Sequence, residues 1–151
     1  MRGAQKIIEE ENVIQRIEWV FSAFSSSVCL SFSGGKDSTV LFHLTADIAR
    51  KKKRRFSVLF IDWEAQYQCT IQHVLNMREL YRDVVDTFYW FALPLTTVNG
   101  VSQYQPKWGC WENGVEWVRR PPEDAITDTE YFPFYRYAMT FEEFVPAFSS
   151  C

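Results

Sequence analysis

The chain has 151 residues, 47% of them hydrophobic and 17% aromatic, with a formal charge of −3, which is enough apolar material for one domain with a sizeable core. Cys29, Cys69, Cys110 and Cys151 lie about forty residues apart and form no C-x-x-C pair, so neither a zinc site nor an iron–sulfur cluster is suggested. The start of the chain lacks an apolar signal core, so a cytoplasmic protein with reduced thiols and no membrane contact is expected.

In chain order, Val13, Ile14, Ile17, Val20, Phe21 and Phe24 predict a first helix with one apolar face. Residues 28–32, Val-Cys-Leu-Ser-Phe, predict a strand buried on both faces. After the turn Ser33-Gly34-Gly35-Lys36-Asp37-Ser38, the residues Val40, Leu41, Leu44 and Ile48 resume helical spacing, so a second helix opens near Asp37 or Ser38. It runs into Lys51-Lys52-Lys53-Arg54-Arg55, five of the sixteen basic residues, and without that run eleven bases face nineteen acids. The run reads as the solvated end of a helix, where cations suit the dipole, with nucleic-acid contact as the sharper alternative.

Residues 56–61 predict a second buried strand, followed at once by Asp62-Trp63-Glu64. Ile71, Val74, Leu75, Arg78 and Leu80 predict a third helix, and residues 88–93 a third strand ended by Pro94. Strands separated by helices imply parallel pairing through right-handed crossovers. The expected fold class is therefore α/β, a three-layer sandwich about a parallel sheet with the strands in the order third, second, first. Between residues 96 and 137 the alternation fades into an aromatic-rich segment with Trp108, Trp111 and Trp117, a long folded loop or small subdomain. Thr140 and Glu143 form a capping box for a short helix carrying Phe141, Phe144 and Phe148 and limited by Pro146. Residues 1–95 are expected as an α/β core and residues 96–151 as an extension packed on the same domain. Thirteen Phe, seven Tyr and six Trp exceed what a small core needs, so some rings are expected at an interface or ligand wall.

The turn at residues 33–38 carries the strongest chemical signal. It stands where a strand hands over to a helix, and the first amides of a helix are unpaired and sit at its positive end, so an anion is favoured there. Two glycines permit positive φ and leave no Cβ against a ligand. Lys36 adds a point charge, and Ser33 and Ser38 offer hydroxyl donors. The turn is not a Walker A loop, because Leu30 stands where the first Gly is required and Asp37 follows the Lys. It is not a dinucleotide fingerprint either, since no G-x-G-x-x-G can be read. Ligands on open parallel sheets bind outside the carboxyl ends of strands, so Asp62, Trp63 and Glu64, at the end of the second strand, place two carboxylates and an indole beside the predicted phosphate loop. Cys110, between Gly109 and Trp111, reads more readily as an ordinary thiol than as a reactive one, and His43 and His73 as surface or packing residues.

Residue for residue, the turn resembles the S-G-G-x-D-S loop of the PP-loop ATP pyrophosphatase superfamily, which includes phosphoadenosine phosphosulfate (PAPS) reductases. The segments VCLSFSGGKDSTVLFHL, VLFIDWEAQYQCTIQHV, LPLTTVN, WGCWE and YFPFYRYAMTFEEFVPAF resemble the immunoglobulin-binding regulator A family of PAPS reductase-like prophage co-activators. Members of that family are considerably longer, and the resemblance covers roughly their first half. It implies an adenine nucleotide alpha hydrolase-like fold, here truncated. It also implies an adenine nucleotide, ATP or PAPS, as ligand, with Mg2+ accompanying ATP and no metal site built by the protein alone. Ser33, Gly34, Gly35, Lys36, Asp37 and Ser38 would hold phosphate, with Lys36 and Asp37 as candidate catalytic residues. Asp62 or Glu64 would accept from ribose or adenine, and Trp63 would supply an apolar wall.

Two functional classes stay open. One is an enzyme, an ATP pyrophosphatase transferring adenylyl groups or a PAPS reductase-like protein; the reactive Cys of a Glu-Cys-Gly segment is absent from the chain. The other is a nucleotide-binding regulator in phage or prophage gene control. Because the chain stops before the family's remaining strands, an uncovered first strand is expected to be closed by a second copy, by a regulatory partner or by residues 96–151.

Overall fold

A computed structural model describes residues 2–25, 27–98 and 103–150, with the side chains of residues 2–11 left aside. In chain order it contains α1 (Arg2–Ala23), β1 (Cys29–Ser31), α2 (Lys36–Lys51), β2 (Phe56–Ile61), α3 (Gln68–Leu80), β3 (Val85–Phe91), β4 (Thr96–Val98), β5 (Lys107–Gly109), a 3-10 turn (Thr129–Tyr131) and α4 (Phe141–Ser149). The chain divides into two compact units, Met1–Phe60 with Gln68–Tyr89, and Ile61–Tyr67 with Trp90–Cys151.

The first unit builds the α/β layer. Its parallel sheet, flanked by helices, has the order β1-β2-β3, as the alternation of strands and helices predicts. Cys29, Leu30 and Ser31 pair in register with Ser57, Val58 and Leu59. All six residues of β2 are buried, which accounts for a strand without polar alternation. In β1 only Leu30 is buried, and β1 lies at an edge of this sheet. Phe32, Phe42, Phe56, Phe60 and Val58 fill the core, with Phe42 stacked on Tyr81 and edge-on to Phe32 and Phe56.

Two helix faces differ from expectation. On α2 the buried stripe is Phe42, Thr45, Ala46, Ile48 and Ala49, while Val40 is 58% exposed. Ala46 and Ala49 are fully buried, so small residues mark part of the face where the aliphatic pattern did not. On α1, Phe21 is buried, Ile14, Ile17 and Val20 are half-buried, and Val13 and Phe24 are exposed. β3 begins three residues before the predicted strand. The amides of Val84 and Val85 both bond to the Tyr81 carbonyl, closing α3 so tightly that Val85 can start the strand, and the exposed Asp86 interrupts the apolar run that would have marked it.

In the basic run Lys51, Lys52 and Lys53 are exposed, while the two arginines hold carbonyl groups. Arg54 donates from Nη1 to the carbonyls of Phe21 (2.5 Å) and Phe24 (2.7 Å) and from Nη2 to Ser25 (3.3 Å), capping the end of α1. Arg55 donates to the Val85 carbonyl at 2.6 Å and pairs with Asp86. At the end of α2, Lys53 has φ 53°; its amide bonds to the Arg50 carbonyl and that of Arg54 to Ala49, the pattern of a Schellman cap with lysine in the usual place of glycine.

In the second unit β4 and β5 form an antiparallel pair joining Thr96 to Gly109, Thr97 to Trp108 and Val98 to Lys107. Phe91, Phe132, Phe144 and Phe148 pack with centroids 5.2–6.3 Å apart. The capping box opens α4 as the sequence predicts: Glu143 accepts from the amide of Thr140 at 2.9 Å, which holds its carboxyl below the usual range. No helix among the described residues is long and apolar enough to cross a membrane.

Candidate functional site

Ser33 to Ser38 connects β1 to α2 as a turn stapled by its own hydroxyls. Ser33 Oγ lies 3.0 Å from Ser38 Oγ, the Gly35 amide donates to Ser33 Oγ at 3.4 Å, and Ser38 Oγ donates to the Gly35 carbonyl at 2.9 Å. The two serines predicted to face a ligand are thus also the groups that shape the turn. Gly34 has φ +77°, and a Cβ there would lie 3.0 Å from Thr70 Cγ2 and from Val74 Cγ2 of α3, so conformation and clearance both require glycine. Gly35 caps α2 without a side chain, and the first-turn amides of Lys36, Asp37 and Ser38 have no intrahelical acceptor. Gly35, Lys36 and Asp37 are exposed. The six residues therefore form one surface on which amide dipoles and an ammonium face water.

The support beneath this turn was not read from the sequence. Thr39, one residue beyond it, donates to the Gly35 carbonyl through Oγ1 at 2.8 Å, and the same Oγ1 lies 2.8 Å from His73 Nε2. His73 is half-buried against Phe32. The signal that could have found it is helical spacing: Thr70, His73 and Val74 share one face of α3.

In the second unit, Asp62, Trp63 and Glu64 come together around buried carboxylates. Asp62, 1% exposed, accepts from the Glu64 amide at 3.0 Å, from Trp90 Nε1 at 2.8 Å and from Arg119 Nη2. Its backbone carbonyl accepts from Trp111 Nε1 at 2.6 Å. Glu64 accepts from the amides of Trp111 (2.6 Å) and Val118 (2.8 Å), one on each carboxylate oxygen. Both Glu64 (φ 59°) and Trp111 (φ 53°) hold left-handed backbone, which costs a non-glycine residue about 1–2 kcal/mol. The bond between them keeps both in place. Arg119 stacks over the Trp111 ring at 5.2 Å. Trp63 is half-buried against the Ala92, Cys110 and Trp111 cluster, with its ring tilted against that of Phe141 at 6.2 Å between centroids. Arg119 escaped the sequence reading, although Arg119-Arg120 is the one basic pair in the acidic stretch after Pro94.

Cys110 is fully buried in that cluster. Burial first, then the nearby charges of Glu64, Asp62 and Glu112, push its thiol up to about 12, the state of an unreactive packing residue. Among the described residues, no group of three His, Cys, Asp or Glu side chains could hold a metal ion. A surface cleft of about 390 Å³ lined in part by Arg78, Glu79, Arg82 and Asp86 contains none of the candidate residues, and its Arg82 and Asp86 pair with Glu79 and Arg55.

No solved structure matches the chain. Over 135 residues, 89% of its length, it is 58% identical to the uncharacterized protein YbdN of Escherichia coli (strain K12). The chain spans about a third of that relative's length. Residues 27–107, more than half of the chain, match the phosphoadenosine phosphosulfate reductase domain, and this stretch runs from β1 through the loop, β2 and β3 to the start of β5. The chain thus belongs to the phosphoadenosine phosphosulfate reductase domain family.

Proposed function

We propose that the chain binds an adenine nucleotide, ATP or PAPS, with an anionic group held by the amides of the turn at Ser33–Ser38 and by the Lys36 ammonium. One observation carries the reading: left-handed Gly34 turns the chain from β1 into α2 with no side chain over the bend, so the unpaired first-turn amides and Lys36 meet solvent together. Family membership supports a nucleotide as the ligand. Residues 1–95 would be the nucleotide-binding core. Asp62, Trp63 and Glu64 would serve the nucleoside, Trp63 as the apolar wall and the two carboxylates by keeping the turn around it in shape.

With ATP, an acceptor would form a bond to the α-phosphorus while the bond to the bridging oxygen breaks and pyrophosphate leaves; Lys36 and the loop amides would stabilise the charge gained by the leaving group. Mg2+ bound to the phosphates would neutralise further charge, with Asp37, exposed in the first turn of α2, the loop carboxylate available to its water shell. With PAPS, a thiol would attack sulfur, and the buried, protonated Cys110 would not supply it.

The second reading is a nucleotide-binding regulator of the immunoglobulin-binding regulator A kind, acting with a partner or a second copy on the β1 edge. The engagement of Asp62 and Glu64 by protein donors favours it, because neither carboxylate is left over as a base. Calorimetric titration with ATP, AMP and PAPS, together with assay of pyrophosphate release, separates the readings. Lys36→Ala should weaken binding by about 1.5–3 kcal/mol, roughly ten- to a hundredfold, with little change in stability. Equal affinity in a folded Lys36→Ala protein refutes the phosphate role.

A further inference from the structure

We propose that His73 is a positioning residue for the phosphate-binding turn, acting through Thr39 on the Gly35–Lys36 peptide. The role rests on the nucleotide reading only for the identity of the anion. The Thr39 hydroxyl has one proton and donates it to the Gly35 carbonyl at 2.8 Å, so towards His73 it can only accept. Nε2 of His73, 2.8 Å away, therefore carries the hydrogen and is the donor.

Three donors converge on the Gly35 carbonyl: Thr39 Oγ1 at 2.8 Å, the Thr39 amide at 2.9 Å and Ser38 Oγ at 2.9 Å. A trans peptide is planar, so the N–H of Lys36 points opposite to the Gly35 C=O. Drawing that carbonyl inward aims the Lys36 amide outward, towards the place an anion would occupy. The same face of α3 closes the turn from below, since Thr70 and Val74 stand 3.0 Å from where a Cβ on Gly34 would be. One helix face thus sets the floor of the turn through Thr70 and Val74 and its direction through His73.

The test compares His73→Ala, Thr39→Val, the double variant and His73→Gln by hydrogen–deuterium exchange of the amides of residues 34–39 without ligand, and by titration with ATP and PAPS. His73→Ala and Thr39→Val should each speed exchange of the Thr39 amide, which bonds to the Gly35 carbonyl at 2.9 Å, and weaken ATP binding by about two- to tenfold, the net effect of one hydrogen bond. The double variant should do no more than Thr39→Val alone, because His73 acts only through Thr39. His73→Gln, which keeps an N–H donor at similar reach, should restore both readouts. Unchanged loop exchange in folded His73→Ala and Thr39→Val, additive effects in the double variant, or a Gln variant that behaves like Ala would each overturn the role. If His73→Ala does not fold, Thr39→Val, nearly the same size, decides. A loop that responds as expected in a protein that binds neither ATP nor PAPS would support the positioning role and overturn the nucleotide reading.

Discussion

The connection that follows β1 and the one that follows β2 are both short and rich in polar side chains, and they use those groups in opposite ways. After β1, hydroxyls bond to one another and to a carbonyl, while Lys36, Asp37 and the first-turn amides of α2 are left towards water. After β2, the carboxylates of Asp62 and Glu64 are buried and met by two backbone amides of distant loops, an indole N–H and a guanidinium. The contrast teaches that a charged residue at a strand end is a binding group only if the fold leaves it unspoken for. Backbone donors that no local acceptor can reach are the better sign of a site.

The sharpest way to break this contrast is Asp62→Ala. If the buried carboxylate is structural, its removal strands Arg119 and the Trp90 indole and should destabilise the second unit by about 3–5 kcal/mol in urea unfolding. A neutral effect on stability with a loss of nucleotide affinity would reverse the assignment. On the other side, Gly34→Ala should cost about 1–2 kcal/mol from its positive φ alone, and push Thr70 and Val74 away from the turn. Nucleotide titration should then show weaker binding, whereas retained affinity and stability would mean that the turn tolerates a Cβ.

Cys110 sharpens the comparison by pH. Its folded thiol is pushed up to about 12 from an ordinary value of 9.0, so the folded state holds the proton more tightly than the unfolded one. The resulting stability is fully present below pH 9 and is lost as pH rises towards 12, by up to about 1.4 kcal/mol per pH unit. Cys110→Ala should flatten the alkaline limb of the stability profile. A thiol reagent should label the exposed Cys29 and Cys69 in the native state and Cys110 only on unfolding; native labelling of Cys110 would contradict its burial. The smallest effect is expected at Lys53→Gly, which relieves left-handed backbone at the cap of α2 and should stabilise by about 0.5–1 kcal/mol in thermal unfolding.

What was legible in the sequence is what short-range physics dictates. β2 coincides with its apolar run because a strand buried on both faces has no polar positions to confuse it. The capping box at Thr140 and the turn at Ser33–Ser38 are local hydrogen-bond patterns, and the strand order follows from crossovers. The face of α2 was legible only in part: Ile48 is buried as its spacing predicts, but the rest of the stripe is two alanines and a threonine beside Phe42, which do not stand out as an apolar set. Nor were the partners of the two connections. His73 meets Thr39 across 34 residues of chain and Arg119 meets Asp62 across 57, and no periodicity encodes a pairing at that separation.

The grip of Arg54 on the end of α1 has a consequence for proteolysis. Five consecutive basic residues would ordinarily offer trypsin five equivalent bonds, but the protease must draw the side chain into its own pocket, and that of Arg54 already holds three carbonyls. The exposed Lys51, Lys52 and Lys53 should be cut first. Cleavage after Arg54 requires α1 to let go, so the rate at which that one bond is cut is a clock for the detachment of the first helix.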